Sequence, residues 1–143
     1  MFARPTAQLR QQLLAVNGVG PETADSILLY AGQHGVFVID TYTRRIAARH
    51  EIASQQASYE DLRAVFECGL IAATASIGPG TSQGAASHPP SRMSLASRSP
   101  ITQVYNEMHG LIVGVGKQYC LKSKPRCHEC PLKHLLPAHS ALL

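Results

Sequence analysis

Three of the four cysteines in this chain fall between Cys120 and Cys130, in the pattern Cys-x6-Cys-x2-Cys. No other feature limits the fold as sharply, because thiols spaced this closely come within reach of one site. The N-terminus, Met1 to Arg10, lacks the apolar stretch of a signal peptide, and no run approaches the roughly 18 apolar residues of a membrane span. A cytoplasmic, non-membrane chain is therefore expected. In that compartment clustered cysteines point to metal or cluster ligation before disulfides. From Lys117 to Lys133 the same stretch holds Lys117, Lys122, Lys124, Arg126 and Lys133 against the single acid Glu129. It carries the whole net charge of +4, and the rest of the chain is balanced.

The remaining pattern is helical. At 143 residues and 45% hydrophobic content, one domain with a modest core is expected, and wholesale disorder is excluded. Thr6 is a candidate N-cap for a helix with Leu9, Leu13, Leu14 and Val16 at helical spacing. After Asn17-Gly18-Val19-Gly20, Pro21 suits the first turn of a second helix reaching Ala31, with Ala24, Ile27, Leu28 and Ala31 on one face. Val36 to Ile39 is the one strand candidate. Asp40 caps a third helix through Ile46 and Ala47, and Ser58 with Asp61 starts a fourth containing Leu62, Val65, Phe66 and a buried Cys68. A fifth, Ile101 to Tyr119, places Val104, Met108, Leu111, Ile112 and Val115 in register. The class predicted is all-α. Residues 73–100 divide the chain: of these 28, 21 are Ala, Ser, Gly, Pro or Thr, and none is acidic, which predicts a flexible insertion. The expected organisation is 1–72, the insertion 73–100, a helix and cysteine loop over 101–137, and a frayed tail over 138–143.

Two segments point to chemistry. Leu14 to Ala24 spells helix, two-glycine turn and helix, in which Gly18 and Gly20 let a phosphate approach the backbone and the second helix offers free amides. Such a hairpin grips a DNA backbone without reading sequence; a plain interhelical turn explains the same letters. Asp40 is a helix cap by default and a catalytic carboxylate by position, about one helix and one turn beyond the hairpin. Arg44, Arg45 and Arg49 form either a solvated helix face or a phosphate-contacting one.

Val16-Asn17-Gly18-Val19-Gly20-Pro21-Glu22-Thr23-Ala24, then Val38-Ile39-Asp40-Thr41-Tyr42-Thr43-Arg44-Arg45-Ile46, resemble the helix-hairpin-helix and catalytic-aspartate segments of the endonuclease III family of DNA glycosylases. Cys120, Cys127 and Cys130 resemble the start of that family's iron–sulfur loop. The resemblance covers Thr6 to about Phe66 and Ile101 to Pro137, skipping the insertion. It implies a helical base-excision repair fold, double-stranded DNA with a damaged base as partner, a monomer, and in a bacterium a place at the nucleoid. Asp40 would support loss of the flipped-out base. Gly18, Val19, Gly20 and Thr23, with Lys122, Lys124 and Arg126, would contact DNA.

Three departures from the family's pattern bear on the chemistry. Glu22 stands where bifunctional members carry a Schiff-base lysine, and a carboxylate cannot form an imine, so a monofunctional glycosylase is expected. Leu136 stands where a fourth cysteine would fall. That leaves Cys120, Cys127 and Cys130 to ligate a [4Fe–4S] cluster with His134 or an outside ligand, or zinc as a Cys3His site. Finally, the chain begins almost at the hairpin, the pattern of an N-terminally truncated member. The rival reading is a non-catalytic DNA-binding remnant that keeps the hairpin and metal loop.

Overall fold

The computed structural model describes residues 2–76 and 98–138. Every regular element among them is helical, with no strand, as the all-α expectation required. No helix among them is long and apolar enough to cross a membrane.

Helix α1 spans Thr6–Leu14 and buries Leu9 and Leu13. Its N-cap is Pro5, not Thr6. The Thr6 hydroxyl instead pairs with His34 Nδ1 at 2.8 Å, a tertiary contact that outcompetes the local cap. The turn that follows needs its first glycine, because Gly18 sits at φ +84°. Helix α2, Pro21–Ser26, runs straight into a wider π-turn, Ile27–Ala31, closed by Gly32 N–H donating to Ile27 O at 3.0 Å. That extra residue shifts the helical phase. Leu28 and Leu29 are both buried, Ala31 is exposed, and Ile27 is only half-buried, so the expected face of Ala24, Ile27, Leu28 and Ala31 is corrected.

Val36 to Ile39 is a buried, extended segment without a strand partner. Side chains satisfy its backbone instead: Phe37 N–H donates to Glu67 Oε1 at 2.9 Å and Ile39 N–H to the Tyr59 hydroxyl at 3.3 Å. Phe37 stacks on Phe66 at 5.1 Å and meets Tyr105 edge-on at 5.6 Å, so this segment is the centre of the core.

Helix α3 is Thr41–Arg49, α4 is Tyr59–Ser76 and α5 is Pro100–Gln118. At the start of α4 the Ser58 and Asp61 pairing forms as read, with Asp61 N–H donating to Ser58 Oγ at 3.1 Å. Two expectations on α4 and α5 fail. Cys68 is exposed, not buried, and Leu111 is 67% exposed. Helix α5 turns Thr102, Tyr105, His109, Ile112 and Gly116 inward, a face built partly from polar residues that an apolar pattern cannot reveal. Of the expected insertion, Ala73 to Ser76 continue α4, and Ser99 caps α5 by accepting from Thr102 N–H. Residues 77–97 of it, and 139–143 of the tail, lie outside the described residues.

Helices α3 and α5 pack closely where Gly116 faces Tyr42. A Cβ at position 116 would lie 2.7 Å from Tyr42 Cβ, closer than real atoms come. Gly116→Ala is expected to cost about 1–3 kcal/mol through overpacking, read as a lower urea midpoint with an unchanged slope.

Candidate functional site

Asp40 ends the buried segment Val36 to Ile39 and begins α3, so a hydrophobic anchor on one side and a helix start on the other hold it in place. Its Oδ1 accepts from Thr43 N–H at 2.7 Å and from the Thr43 hydroxyl at 2.8 Å. Oδ2 faces His109 Nε2 of α5 at 3.4 Å. The other ring nitrogen of His109, Nδ1, is hydrogen-bonded to the hydroxyl of Tyr30 in the π-turn. Helices α3 and α5 thus meet at one carboxylate whose side chain is 12% exposed, with the π-turn behind His109.

Burial pushes the Asp40 carboxyl upward, but the His109 contact and the two Thr43 hydrogen bonds outweigh it. The net effect holds Asp40 below the ordinary carboxylate range, so it is an anion at neutral pH. Tyr30 moves the other way: burial, then the nearby Asp40 charge, raise its phenol. The arrangement offers a fixed, partly enclosed negative charge, suited to stabilising a cation that develops beside it.

The hairpin residues Gly18 and Gly20 are exposed, Val19 is half-buried against the core, and Glu22 and Thr23 lie exposed in the first turn of α2. First-turn amides have no intrahelical acceptor. Lys122, Lys124 and Arg126 are all exposed on the cysteine loop.

Cys120 is buried, Cys127 and Cys130 are half-buried, and all three line one pocket with Ile46, Arg49, His50 and Leu136. Thiols around one pocket have the right chemistry for a metal centre. They fall short in count, and among the described residues no three Cys, His, Asp or Glu side chains stand at metal-ligating distance. His134, the expected fourth donor, is exposed and absent from this lining, whereas His50 is part of it. The arginines of α3 are corrected too. Arg45 donates to Cys120 O at 2.6 Å and Gly116 O at 3.2 Å, Arg49 to Cys120 Sγ at 3.1 Å, and Arg44 to Ala57 O at 2.6 Å. They tie α3 to the end of α5 and to its own following loop, and do not form a free solvated face.

No family model matches the chain. Among curated proteins it is 35% identical over 130 residues to a protein of Methanocaldococcus jannaschii named as a DNA repair glycosylase, covering 91% of this chain and 46% of that protein. It is 25% identical over 126 residues to the endonuclease III of Sulfolobus acidocaldarius, covering 88% and 43%, and 30% identical over 133 residues to the endonuclease III-like protein 1 of Bos taurus, covering 92% and 34%. Across about nine-tenths of its length the chain is endonuclease III-like in sequence. It spans less than half the length of these relatives.

In this endonuclease III-like chain the sequence singled out Asp40 but neither of the two groups behind it, His109 and Tyr30. His109 lies one position from Met108 and three from Ile112 in the apolar pattern of α5, which was a usable signal for a buried polar contact. Tyr30 gave none, because its direction depends on the π-turn.

Proposed function

We propose that this chain forms the helix-hairpin-helix and cysteine-loop part of a monofunctional DNA glycosylase, which hydrolyses the N-glycosidic bond of a damaged base in double-stranded DNA. The observation that carries this reading is the half-buried, anionic Asp40 capping α3. As the base departs with the bonding electron pair, positive charge develops at the sugar. A carboxylate already ionised and hydrogen-bonded opposes that charge without reorganising. Water then completes the substitution. Glu22, exposed in the first turn of α2, has no amine with which to form an imine, so the product is an abasic site in an intact strand. The chain acts as a monomer. Gly18, Val19, Gly20 and Thr23 present backbone to a phosphate, and Lys122, Lys124 and Arg126 add charge. The name of the Methanocaldococcus jannaschii relative, a DNA repair glycosylase, supports the glycosylase part of this reading, and Glu22 carries the monofunctional part.

DNA binding tests the hairpin. Affinity is expected to fall steeply with salt; three phosphates neutralised by the loop cations alone give a log–log slope of about −2.7. A Cβ at Gly20 meets nothing within 4 Å and the residue has φ −88°, so Gly20→Val leaves the turn intact. It should weaken binding by standing between backbone and phosphate. Affinity unchanged between low and moderate salt removes the hairpin reading.

The cysteine pocket carries the cofactor part of the proposal: Cys120, Cys127 and Cys130 hold one metal centre, a [4Fe–4S] cluster on the family pattern, with zinc as the alternative. Leu136 in the same lining leaves the fourth position to another donor. Metal analysis with a visible spectrum decides between them. Iron with broad visible absorption is expected, lost in Cys127→Ser and retained in Cys68→Ser, whose thiol is exposed on α4. Stoichiometric zinc in a colourless protein selects the alternative. A folded, metal-free protein overturns both.

A further inference from the structure

His109 is 7% exposed, and its Nε2 is buried without a well-formed hydrogen bond. A buried donor left in that state costs free energy, so its direction calls for an explanation. It faces Asp40 Oδ2 at 3.4 Å, inside ion-pair reach and just beyond a good hydrogen bond. The ring itself is not free to choose another partner. Phe37 packs edge-on against it with centroids 6.3 Å apart, and the Tyr30 hydroxyl is bonded to Nδ1. Tyr30 in turn is held by the π-turn.

We propose that Tyr30 and His109 are positioning residues for Asp40: the Tyr30 hydroxyl donates to His109 Nδ1, which places the ring proton on Nε2 and aims it at Asp40 Oδ2. The inference rests on Asp40 being the working carboxylate of the glycosylase. A phenol is a donor while it keeps its proton, and burial beside Asp40 keeps it there. With Nδ1 occupied as an acceptor, a neutral imidazole carries its proton on the opposite nitrogen. Thr43 holds Oδ1 from the carboxylate's own helix and His109 holds Oδ2 from α5. Those are the polar groups that meet the carboxylate, with Tyr30 one step behind. At 3.4 Å the pair lies within ion-pair reach, and a contact of that length in a substrate-free site is no bar to the role. No proton needs to leave the chain: the relay keeps Asp40 charged and oriented, and donates nothing to the departing base.

The test uses the full chain without DNA, so it stands apart from any assay of base release. Carbon-13 NMR of Asp40 follows its carboxyl titration in the wild type, in His109→Phe and in His109→Gln. His109→Phe fills the site without a donor and should shift the midpoint upward; His109→Gln, which restores an N–H near the Nε2 position, should bring it back. Nitrogen-15 spectra of the His109 ring at pH 8 should show the proton on Nε2 alone in the wild type, and a mixture of tautomers in Tyr30→Phe. That last variant removes one oxygen and keeps the packing, so it serves if His109→Phe fails to fold. A purely structural histidine would move neither signal. The proposal is overturned by an Asp40 midpoint that does not move in folded His109→Phe, or by a wild-type ring protonated on Nδ1. If both signals behave as expected while the wild type releases no base from a damaged duplex, the positioning relay stands and the glycosylase reading falls.

Discussion

Asp40→Asn should lower base release by roughly 10²–10³-fold or more, the scale found when one preorganised electrostatic group is removed from an active site. The fold should survive. Asparagine caps helices about as well as aspartate, and its carbonyl oxygen can still accept from Thr43 N–H. DNA binding should survive as well, since the hairpin and loop cations are untouched. The measurement is free base released from a damaged duplex, scored together with strand integrity. Expected from the wild type is an abasic product with no nick and no borohydride-trappable imine through Glu22. Wild-type release that persists in Asp40→Asn would assign the chemistry elsewhere.

The same substitution has a pH signature with a definite sign. Because the folded chain holds Asp40 below its ordinary value, its stabilising contribution is fully present above the unfolded value and is lost as pH falls through the folded one. The stability deficit of Asp40→Asn should therefore be constant through neutral pH and shrink on acidification below the ordinary aspartate range. A deficit that grows there would mean that the carboxyl is favoured in its protonated form.

Arg10→Ala should destabilise the chain by about 3–5 kcal/mol, the usual result of stripping the partner from a buried charge. Asp25 is fully buried on α2. Arg10 of α1 meets it through two bonds, Nε to Oδ1 at 2.6 Å and a terminal nitrogen to Oδ2 at 3.1 Å. It also reaches Glu60 of α4 at 2.6 Å. Without the guanidinium, Asp25 is left as an uncompensated carboxylate in the core. Arg10 itself is pushed far above its normal range by the Asp25 hydrogen bond, against the opposing effect of burial. Glu60→Ala should cost far less, because that carboxylate is 52% exposed and solvent replaces its partner. Urea unfolding of both variants checks the contrast, and equal costs would place the weight of the network on Glu60.

Short-range interactions were the legible part of this chain. Asp40 with Thr43 and Ser58 with Asp61 are three residues apart, so the bonds that make them caps lie within the pattern that announces them. Gly18 was legible for the same reason, since its positive φ belongs to a turn. The segments around Gly18, Asp40 and the cysteines carried a resemblance to endonuclease III proteins that the curated relatives support. Distance along the chain marks where legibility ended. Thr6 looked like a cap and was taken by His34, 28 positions away. The strand candidate at Val36 to Ile39 had no second strand among the described residues, and Glu67 and Tyr59 satisfied its backbone. Arg45 and Arg49 turned from an open face to the carbonyls and thiol at the end of α5, more than 70 positions on.

The sequence by itself determined the helices, the cap at Asp40 and the grouping of three thiols, because each depends on residues a few positions apart. Tertiary structure alone decided what surrounds Asp40. A single π-turn rotates Tyr30 toward His109, 79 positions later, and α5 carries that histidine to the carboxylate. Such a contact is selected by how two packed helices cross, and no local pattern of residue types encodes that crossing.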